Sequence, residues 1–255
     1  MSEKAIREAL IEQGRRLFDA PKEALIKFTG TPNADALLND LETHPHAFVL
    51  ACLMDRQFAS EKAWLIPYTI SEKLGTFSIE ALAKQSLEDM KIVMSKPDPL
   101  HRFSDKMSNV LHSAIQRINT VYQGDASRIW MGQPSSAEAI YRLLQFDGAG
   151  PKIATMAVNI LAREFKIQFA DHFSVDISAD VHVRRVFARL ELCPPEPEPI
   201  QVVYKARALH PEFPGLLDSP CWDIGKKWCR PKLPLCDACY MAELCPTSNG
   251  KGMIA

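Results

Sequence analysis

Four cysteines near the C-terminal end of the sequence have the residue type and spacing of a metal site. Cys229, Cys236, Cys239 and Cys245 are separated by six, two and five residues. Four thiolates bind either a tetrahedral zinc ion or an iron–sulfur cluster. Zinc modules usually supply two short cysteine pairs, whereas only Cys236 and Cys239 form one here. We predict a metal site, and ordinary buried or half-buried thiols at the other cysteines, Cys52, Cys193 and Cys221.

A glycine turn with a lysine behind it is the second chemical feature. Helices are predicted over residues 136–146 and 151–164, and Gly148, Ala149 and Gly150 stand between them. Glycine tolerates positive φ and leaves the backbone accessible, and Pro151 suits the first position of a helix. The turn therefore directs amides outward at a helix N-terminus, where a phosphate oxygen can bind. A plain helical hairpin is the alternative that these residues leave open.

Lys152 lies in the first turn of the second predicted helix. The positive end of the helix dipole disfavours an ammonium group there, and partial burial would act in the same direction. A neutral amine is what a nucleophile that forms a Schiff base requires. A solvated lysine, or one that contacts phosphate, is the alternative.

Asp180 is the third candidate, at the start of a helix predicted to run to about Leu190. A carboxylate at the N-cap accepts backbone N–H groups, which keeps it ionised. An ionised carboxylate can also stabilise a developing cation or accept a proton. The presence of Asp180 is therefore explained either by an N-cap role alone or by an N-cap role together with a catalytic one.

The elements that position these residues are predicted to be helical. Apolar residues recur at helical spacing over residues 4–18 and 104–122, and S-x-x-[D/E] starts occur at Ser86 and Ser135. Only residues 173–177 are a weak strand candidate, and the proline-rich stretch 194–199 predicts a stiff connection. The fold class expected is all-α.

Composition narrows the class of protein. The 255 residues are 47 % hydrophobic and 24 % charged, as in a globular domain, with a formal net charge of −1. That charge argues against a protein that coats nucleic acid, although residues 181–185 and 226–232 are locally basic. The N-terminus lacks a signal-peptide core, and no apolar run is long enough for a membrane span. We expect a cytoplasmic, nucleoid-associated protein without membrane contact or a required protein partner.

Three segments together resemble the endonuclease III branch of the helix–hairpin–helix (HhH-GPD) DNA glycosylases. Residues 143–154, LLQFDGAGPKIA, are similar to the family's hairpin signature L-x-x-[LF]-x-G-[VA]-G-x-K-x-A, except that Asp147 replaces the usual proline. Residues 179–186, ADVHVRRV, resemble the segment that carries the family's essential aspartate. The cysteine spacing, with IGKKWC over residues 224–229, resembles its [4Fe–4S] loop. The resemblance covers roughly residues 40–248.

The resemblance implies two helical domains with a DNA-binding cleft between them. Residues 41–157 would form the six-helix domain, and residues 1–40 with 158–255 the helical iron–sulfur cluster domain. A [4Fe–4S] cluster on the four cysteines is the implied cofactor. Duplex DNA that contains damaged bases or abasic sites is the implied partner.

The resemblance also implies a base-excision-repair glycosylase with abasic-site lyase (β-elimination) activity. Lys152 would be the nucleophile and Asp180 its carboxylate partner. DNA contacts would come from Gln57 at the end of an early helix, from the hairpin residues Gly148, Ala149 and Gly150, and from His182, Arg230 and Lys232. A glycosylase that uses water as nucleophile and a non-catalytic module that binds damaged DNA are the alternatives.

One departure concerns the spacing of the two candidate catalytic residues. Lys152 and Asp180 stand farther apart in this sequence than in the family, because the segment 164–177 is longer. That segment also brings Asp171 and Asp176 as competing carboxylates. Asp180 is preferred, since only it has His182 and Arg185 at the matching offsets.

Overall fold

The computed structural model describes residues 2–250, which contain helices and no strand. The all-α prediction is therefore confirmed for this part of the chain. The α-helices are α1 Glu3–Asp19, α2 Pro32–Asn39, α3 Pro45–Met54, α4 Ser60–Leu74, α5 Ile79–Ala83, α6 Leu87–Ser95, α7 Ser104–Val121, α8 Ser136–Leu144, α9 Pro151–Arg163, α10 Val181–Arg189, α11 Pro199–Leu209 and α12 Asp218–Lys227. Short 3₁₀ helices cover Ala126–Ile129, Pro214–Leu217, Cys236–Ala238 and Ala242–Leu244. No helix among residues 2–250 is long and apolar enough to cross a bilayer.

Local signals in the sequence explain where several helices begin. The Ser86 hydroxyl accepts the amide of Asp89, and the Asp89 carboxylate accepts the amide of Ser86, so the predicted start is a capping box. Helix α11 begins at Pro199, the last proline of the stretch 194–199. The strand prediction for residues 173–177 is wrong. Its Val175 carbonyl accepts the amide of Gly215 at 2.6 Å, a tertiary contact rather than a sheet bond.

The helices form two compact units. The first, here called the hairpin unit, comprises residues 23–134 and 138–157. The second, the cysteine unit, comprises the described residues of 1–22, 135–137 and 158–255. The helix-α9 residues Ala157 and Val158 therefore belong to different units.

Helix α3 is the centre of the hairpin unit. All ten of its residues are buried, and all but His46 are apolar, as a helix that is surrounded by the core requires. It contacts α2, α4 and α7, and Phe48 meets the rings of Trp64 and Trp130 edge-on. Because α3 is fixed on every side, the segment that follows it, with Gln57, starts from a rigid position.

The core of the cysteine unit is formed by α1, α10, α11 and α12. Helix α12 packs against α10 and α1. The approach of α10 and α12 is close enough to require Gly225, since a Cβ there would lie 2.7 Å from the Cβ of His182. Buried Val186, Phe187 and Ile224 fill the interface. The segment that contains the four cysteines, residues 229–245 (the cysteine segment), thus follows a helix that is packed tightly in the core.

Candidate functional site

The glycine turn connects α8 to α9 and leaves backbone amides exposed. Gly148 has φ +83°, and a Cβ on it would lie 3.0 Å from Cγ1 of Val110, so both conformation and space favour glycine. The amide of Ala149 donates to the carbonyl of Phe146. Among the described residues, the amides of Gly150, Lys152 and Ile153 have no partner. Three unpaired N–H groups at a helix N-terminus form a ready anion site.

Asp147 anchors this turn where the family has proline. The hydroxyl of Ser113, on α7, donates to Oδ2 of Asp147 at 2.6 Å. A side-chain hydrogen bond therefore restrains the turn in place of the fixed φ of a proline ring.

Lys152 is exposed in the first turn of α9. A cation at this position can reach a bound anion without any rearrangement of the core.

Gln57 lies three residues after the end of α3, exposed and with φ +49°. A left-handed conformation costs about 1–2 kcal/mol for a residue with a side chain such as glutamine. Two arginines restrain the segment. Arg102 Nη1 donates to the carbonyl of Gln57 at 3.3 Å, and Arg56 Nη1 donates to the carbonyl of Gly148 at 3.2 Å. The segment that carries Gln57 is therefore attached directly to the glycine turn.

Asp180 is the N-cap of α10, as predicted. Its Oδ1 accepts the amides of His182 at 2.8 Å and Val183 at 2.9 Å. The competing carboxylates are engaged elsewhere. Asp176 forms a two-point ion pair with Arg207 at 2.7 and 2.8 Å, and Asp171 accepts the hydroxyl of Ser136. Of the three, only Asp180 stands at a helix start with one oxygen, Oδ2, free of hydrogen bonds from described residues.

The imidazole of His182 joins the start of α10 to the cysteine segment. Its Nδ1 is 3.1 Å from Nη2 of Arg185, and Arg185 Nε donates to the carbonyl of Cys229 at 2.6 Å. His182 is half-buried. Asp180, His182 and the first cysteine thus belong to one connected network in the cysteine unit, whereas Lys152 and Gln57 belong to the hairpin unit.

The four C-terminal cysteines line a single cavity of about 420 Å³, a volume that includes its opening to solvent. All four are half-buried. Burial raises the pKa of the Cys239 and Cys245 thiols, so a positive charge is needed to hold them as thiolates. Within residues 2–250, no group of three or more His, Cys, Asp and Glu side chains is placed so that it could hold a metal ion.

The remaining predicted residues are also accounted for. Arg230 and Lys232 are exposed, and neither forms an ion pair within the described part of the chain. Cys52 and Cys221 are buried and Cys193 is half-buried, which confirms the prediction for the scattered cysteines. Arg56 was missed by the sequence reasoning. Its only local signal is that it directly precedes Gln57.

Several solved structures of similar fold are DNA glycosylases. No protein-family model and no curated protein matches this sequence. A trapped covalent intermediate of endonuclease III with DNA is 16 % identical, with a TM-score of 0.63 over 98 % of this chain and 99 % of that one. A thermostable thymine-DNA glycosylase is 13 % identical, with a TM-score of 0.59 over 96 % and 97 %. The 8-oxoguanine glycosylase/lyase of Clostridium acetobutylicum, in complex with double-stranded DNA, is 13 % identical, with a TM-score of 0.57 over 88 % and 68 %.

These similarities establish the fold. The chain has the all-helical HhH-GPD glycosylase fold, as predicted, over nearly its whole length. At this level of identity the similarity describes the backbone, and the chemistry has to be argued from the site.

Proposed function

We propose that this protein is a base-excision-repair DNA glycosylase with associated lyase activity at abasic sites. The observation that carries the proposal is the glycine turn, in a chain with the glycosylase fold. At the start of α9 it presents an exposed lysine and three amides that have no partner among the residues described. The structures of similar fold include a covalent enzyme–DNA intermediate and a glycosylase/lyase. Duplex DNA that contains damaged bases or abasic sites is the proposed substrate.

DNA binding begins with phosphate in this proposal. The amides of the turn formed by Gly148, Ala149 and Gly150 would bind one phosphate, since no side chain lies within 4 Å of a Cβ built on Gly150. Arg230 and Lys232, which have no carboxylate partner among residues 2–250, would bind further phosphates. His182 would contribute a contact near Asp180.

Gln57 would stabilise the duplex after the damaged nucleotide has left the stack. An exposed amide can occupy the gap and form hydrogen bonds with the remaining base. The restraint from Arg102 supports this role, because a side chain that fills a gap loses less entropy when its backbone is already fixed.

The chemical step is attack of the Lys152 amine on C1′. The bond from C1′ to the base breaks, and the base departs with its electron pair and acquires a proton. Asp180 would stabilise the positive charge on the sugar and accept a proton from the lysine. Ring opening gives a Schiff base with the lysine, and loss of a C2′ proton then expels the 3′ phosphate. One enzyme would therefore release the base and cleave the strand.

The four cysteines are proposed to hold a [4Fe–4S] cluster. Four thiolates are a ligand set for such a cluster, and all four cysteines line one cavity. When bound, the cluster would hold residues 229–245 in place. Iron and sulfide in the purified protein would support this assignment, and zinc without iron would contradict it.

Borohydride trapping tests the proposed nucleophile. Reduction of the Schiff base should give a stable protein–DNA adduct with an oligonucleotide that contains an abasic site, and Lys152→Ala should abolish it. Lys84→Ala is the matched control, since Lys84 is exposed at the end of α5 in the same unit. An adduct that survives Lys152→Ala would remove Lys152 from the nucleophile role.

The exposure of Lys152 supports one alternative function. An exposed lysine beside a phosphate-binding turn suits a phosphate contact, and water would then be the nucleophile. Such an enzyme would release the base and leave an intact abasic site. Gel analysis before and after alkali treatment distinguishes the two, because only the lyase yields a cleaved strand without alkali.

A further inference from the structure

Arg189 is a buried cation on an otherwise apolar face of α10. Its side chain is 7 % exposed, and Val183, Val186 and Leu190 lie on the same side of the helix. It forms no ion pair with any described carboxylate. Because a buried charge is costly unless it is compensated, the surroundings of this guanidinium should contain a negative group.

The guanidinium contacts the first end of the cysteine segment. Nη1 donates to the Sγ of Cys229 at 3.4 Å and to the carbonyl of Arg230 at 2.7 Å. Nη2 donates to the carbonyl of Pro231 at 3.0 Å. One planar group therefore fixes three consecutive residues, and the sulfur it reaches is one of the four that line the cavity.

The backbone carbonyl of the same residue contacts the other end of the segment. The hydroxyl of Thr247 donates to it at 2.8 Å, and the Sγ of Cys245 lies 3.6 Å away. Cys229 and Cys245 are the first and last of the four cysteines. Arg189 thus connects both ends of the segment to α10.

We propose that Arg189 is a positioning residue for the metal group. It connects the two ends of the cysteine segment and supplies the positive charge that compensates the metal-bound thiolates. The inference rests on the proposed cluster. A cluster with four thiolate ligands carries net negative charge, which is the compensation that the buried guanidinium requires. The N–H group directed at Cys229 also stabilises electron density on that sulfur.

Two consequences separate this role from ordinary packing. Loss of the guanidinium should make the cluster easier to remove, because outer contacts to metal ligands contribute about 10–100-fold to metal affinity. It should also make the cluster harder to reduce, since reduction adds negative charge beside a group that is no longer positive. A residue that only fills space would leave the reduction potential unchanged.

The experiment compares four variants of the full-length protein with the parent. Arg189→Lys keeps the charge and loses the planar donor, Arg189→Gln loses both, and Thr247→Val removes the hydroxyl bond to the Arg189 carbonyl. Arg184→Lys is the control, because Arg184 lies on the same helix but donates to the carbonyl of Pro197. Iron and sulfide per chain, the decay of cluster absorbance in excess chelator, and the midpoint potential are measured, with circular dichroism to verify folding.

We expect the cluster of Arg189→Lys to be lost about 10–100 times faster than that of the parent, with Thr247→Val intermediate and Arg184→Lys unchanged. Arg189→Gln should have a more negative midpoint potential. Parent-like decay in Arg189→Lys together with a parent-like potential in Arg189→Gln would overturn the inference. If neither Arg189 variant folds, Thr247→Val decides: faster decay supports the inference, and parent-like decay overturns it.

The proposed cofactor and the proposed enzyme activity can be refuted independently of each other. A parent protein that contains zinc and no iron overturns this inference, while base release by the same preparation still supports the proposed glycosylase. A parent that contains iron but releases no base from any lesion contradicts the proposed function, and cluster retention in the variants then still tests Arg189.

Discussion

Asp180 combines a structural and a proposed chemical role, and two substitutions separate them. Both amides that it caps donate to the same oxygen, Oδ1, at 2.8 and 2.9 Å. Asparagine can present its amide oxygen at that place and keep both hydrogen bonds. Asparagine and aspartate are about equally good N-caps, so Asp180→Asn should change the free energy of unfolding by less than about 0.5 kcal/mol. Asp180→Ala loses the cap and should cost about 1 kcal/mol, which lowers Tm by about 2–4 °C.

The chemistry should respond differently from the stability. The asparagine amide has no negative charge to stabilise the sugar cation and no basic oxygen to accept a proton. We therefore expect base release in Asp180→Asn to be about 10²–10⁴-fold slower than in the parent. Asp180→Ala should be slowed to a similar extent. Single-turnover kinetics on a duplex oligonucleotide with one lesion, together with thermal unfolding of each variant, provide both quantities.

Asp176→Asn is the control for this prediction. It removes the ion pair with Arg207, in the same unit, and should leave the rate of base release unchanged. An Asp180→Asn protein that releases base at the parent rate would refute the chemical role and leave Asp180 as a cap. A variant that loses rate and stability in proportion would show that the rate follows the fold.

Three further predictions concern the turn, the basic segment and acid stability. Gly148→Ala should cost about 1–2 kcal/mol in urea unfolding, because alanine is strained at φ +83°. It should also bind abasic DNA more weakly. Parent-like stability would contradict the strain expected at this φ. Lys232→Ala should reduce the slope of log K against log salt concentration by about 0.9, measured by fluorescence anisotropy, and an unchanged slope would exclude a phosphate contact. Burial lowers the pKa of His46, although its Nε2 bonds to the carbonyl of Phe77. The unfolded chain therefore binds a proton that the folded one does not, and stability should be complete above about pH 6.5 and fall as the pH drops towards the lowered pKa; urea midpoints across pH should fall less steeply in His46→Gln.

Much of the fold was predictable because its signals are local. Apolar residues at helical spacing predict α1 and α7 to within a few residues of their observed ends. The capping pairs and the prolines at helix starts are also short-range features. Each is decided by contacts within one or two turns of the chain, and such contacts are readable from the order of residues.

The segment 173–177 shows where local pattern is insufficient. Its alternating apolar residues are typical of a strand, and Val175 and Ile177 are indeed buried. The backbone, however, bonds to Gly215, where a Cβ would lie 2.7 Å from the Val175 carbonyl. This contact is with a glycine forty positions away, and nothing near residue 175 in the sequence indicates it.

The two arginines that organise the candidate sites were missed for the same reason. Arg56 and Arg189 act through hydrogen bonds to the carbonyls of Gly148, Arg230 and Pro231, which are distant in sequence. Every residue has a backbone carbonyl, so a sequence motif cannot indicate which carbonyl will accept a hydrogen bond. The predicted residues were those whose own chemistry is specific, namely cysteines, a lysine, an aspartate and glycines.

Arg189 nevertheless leaves a trace in the sequence. In helix α10 the apolar positions follow one face, and an arginine at the buried position beside Leu190 interrupts that face. A surface arginine there would simply turn outward, so a charge retained among apolar neighbours implies a compensating partner inside the protein. In this chain the guanidinium contacts Cys229, one of the four cysteines of the proposed metal site. A buried cation in a helical pattern and a cluster of cysteines elsewhere in the chain are therefore better interpreted together than separately. The cation needs a negative charge nearby, and thiolates that bind a metal can supply it.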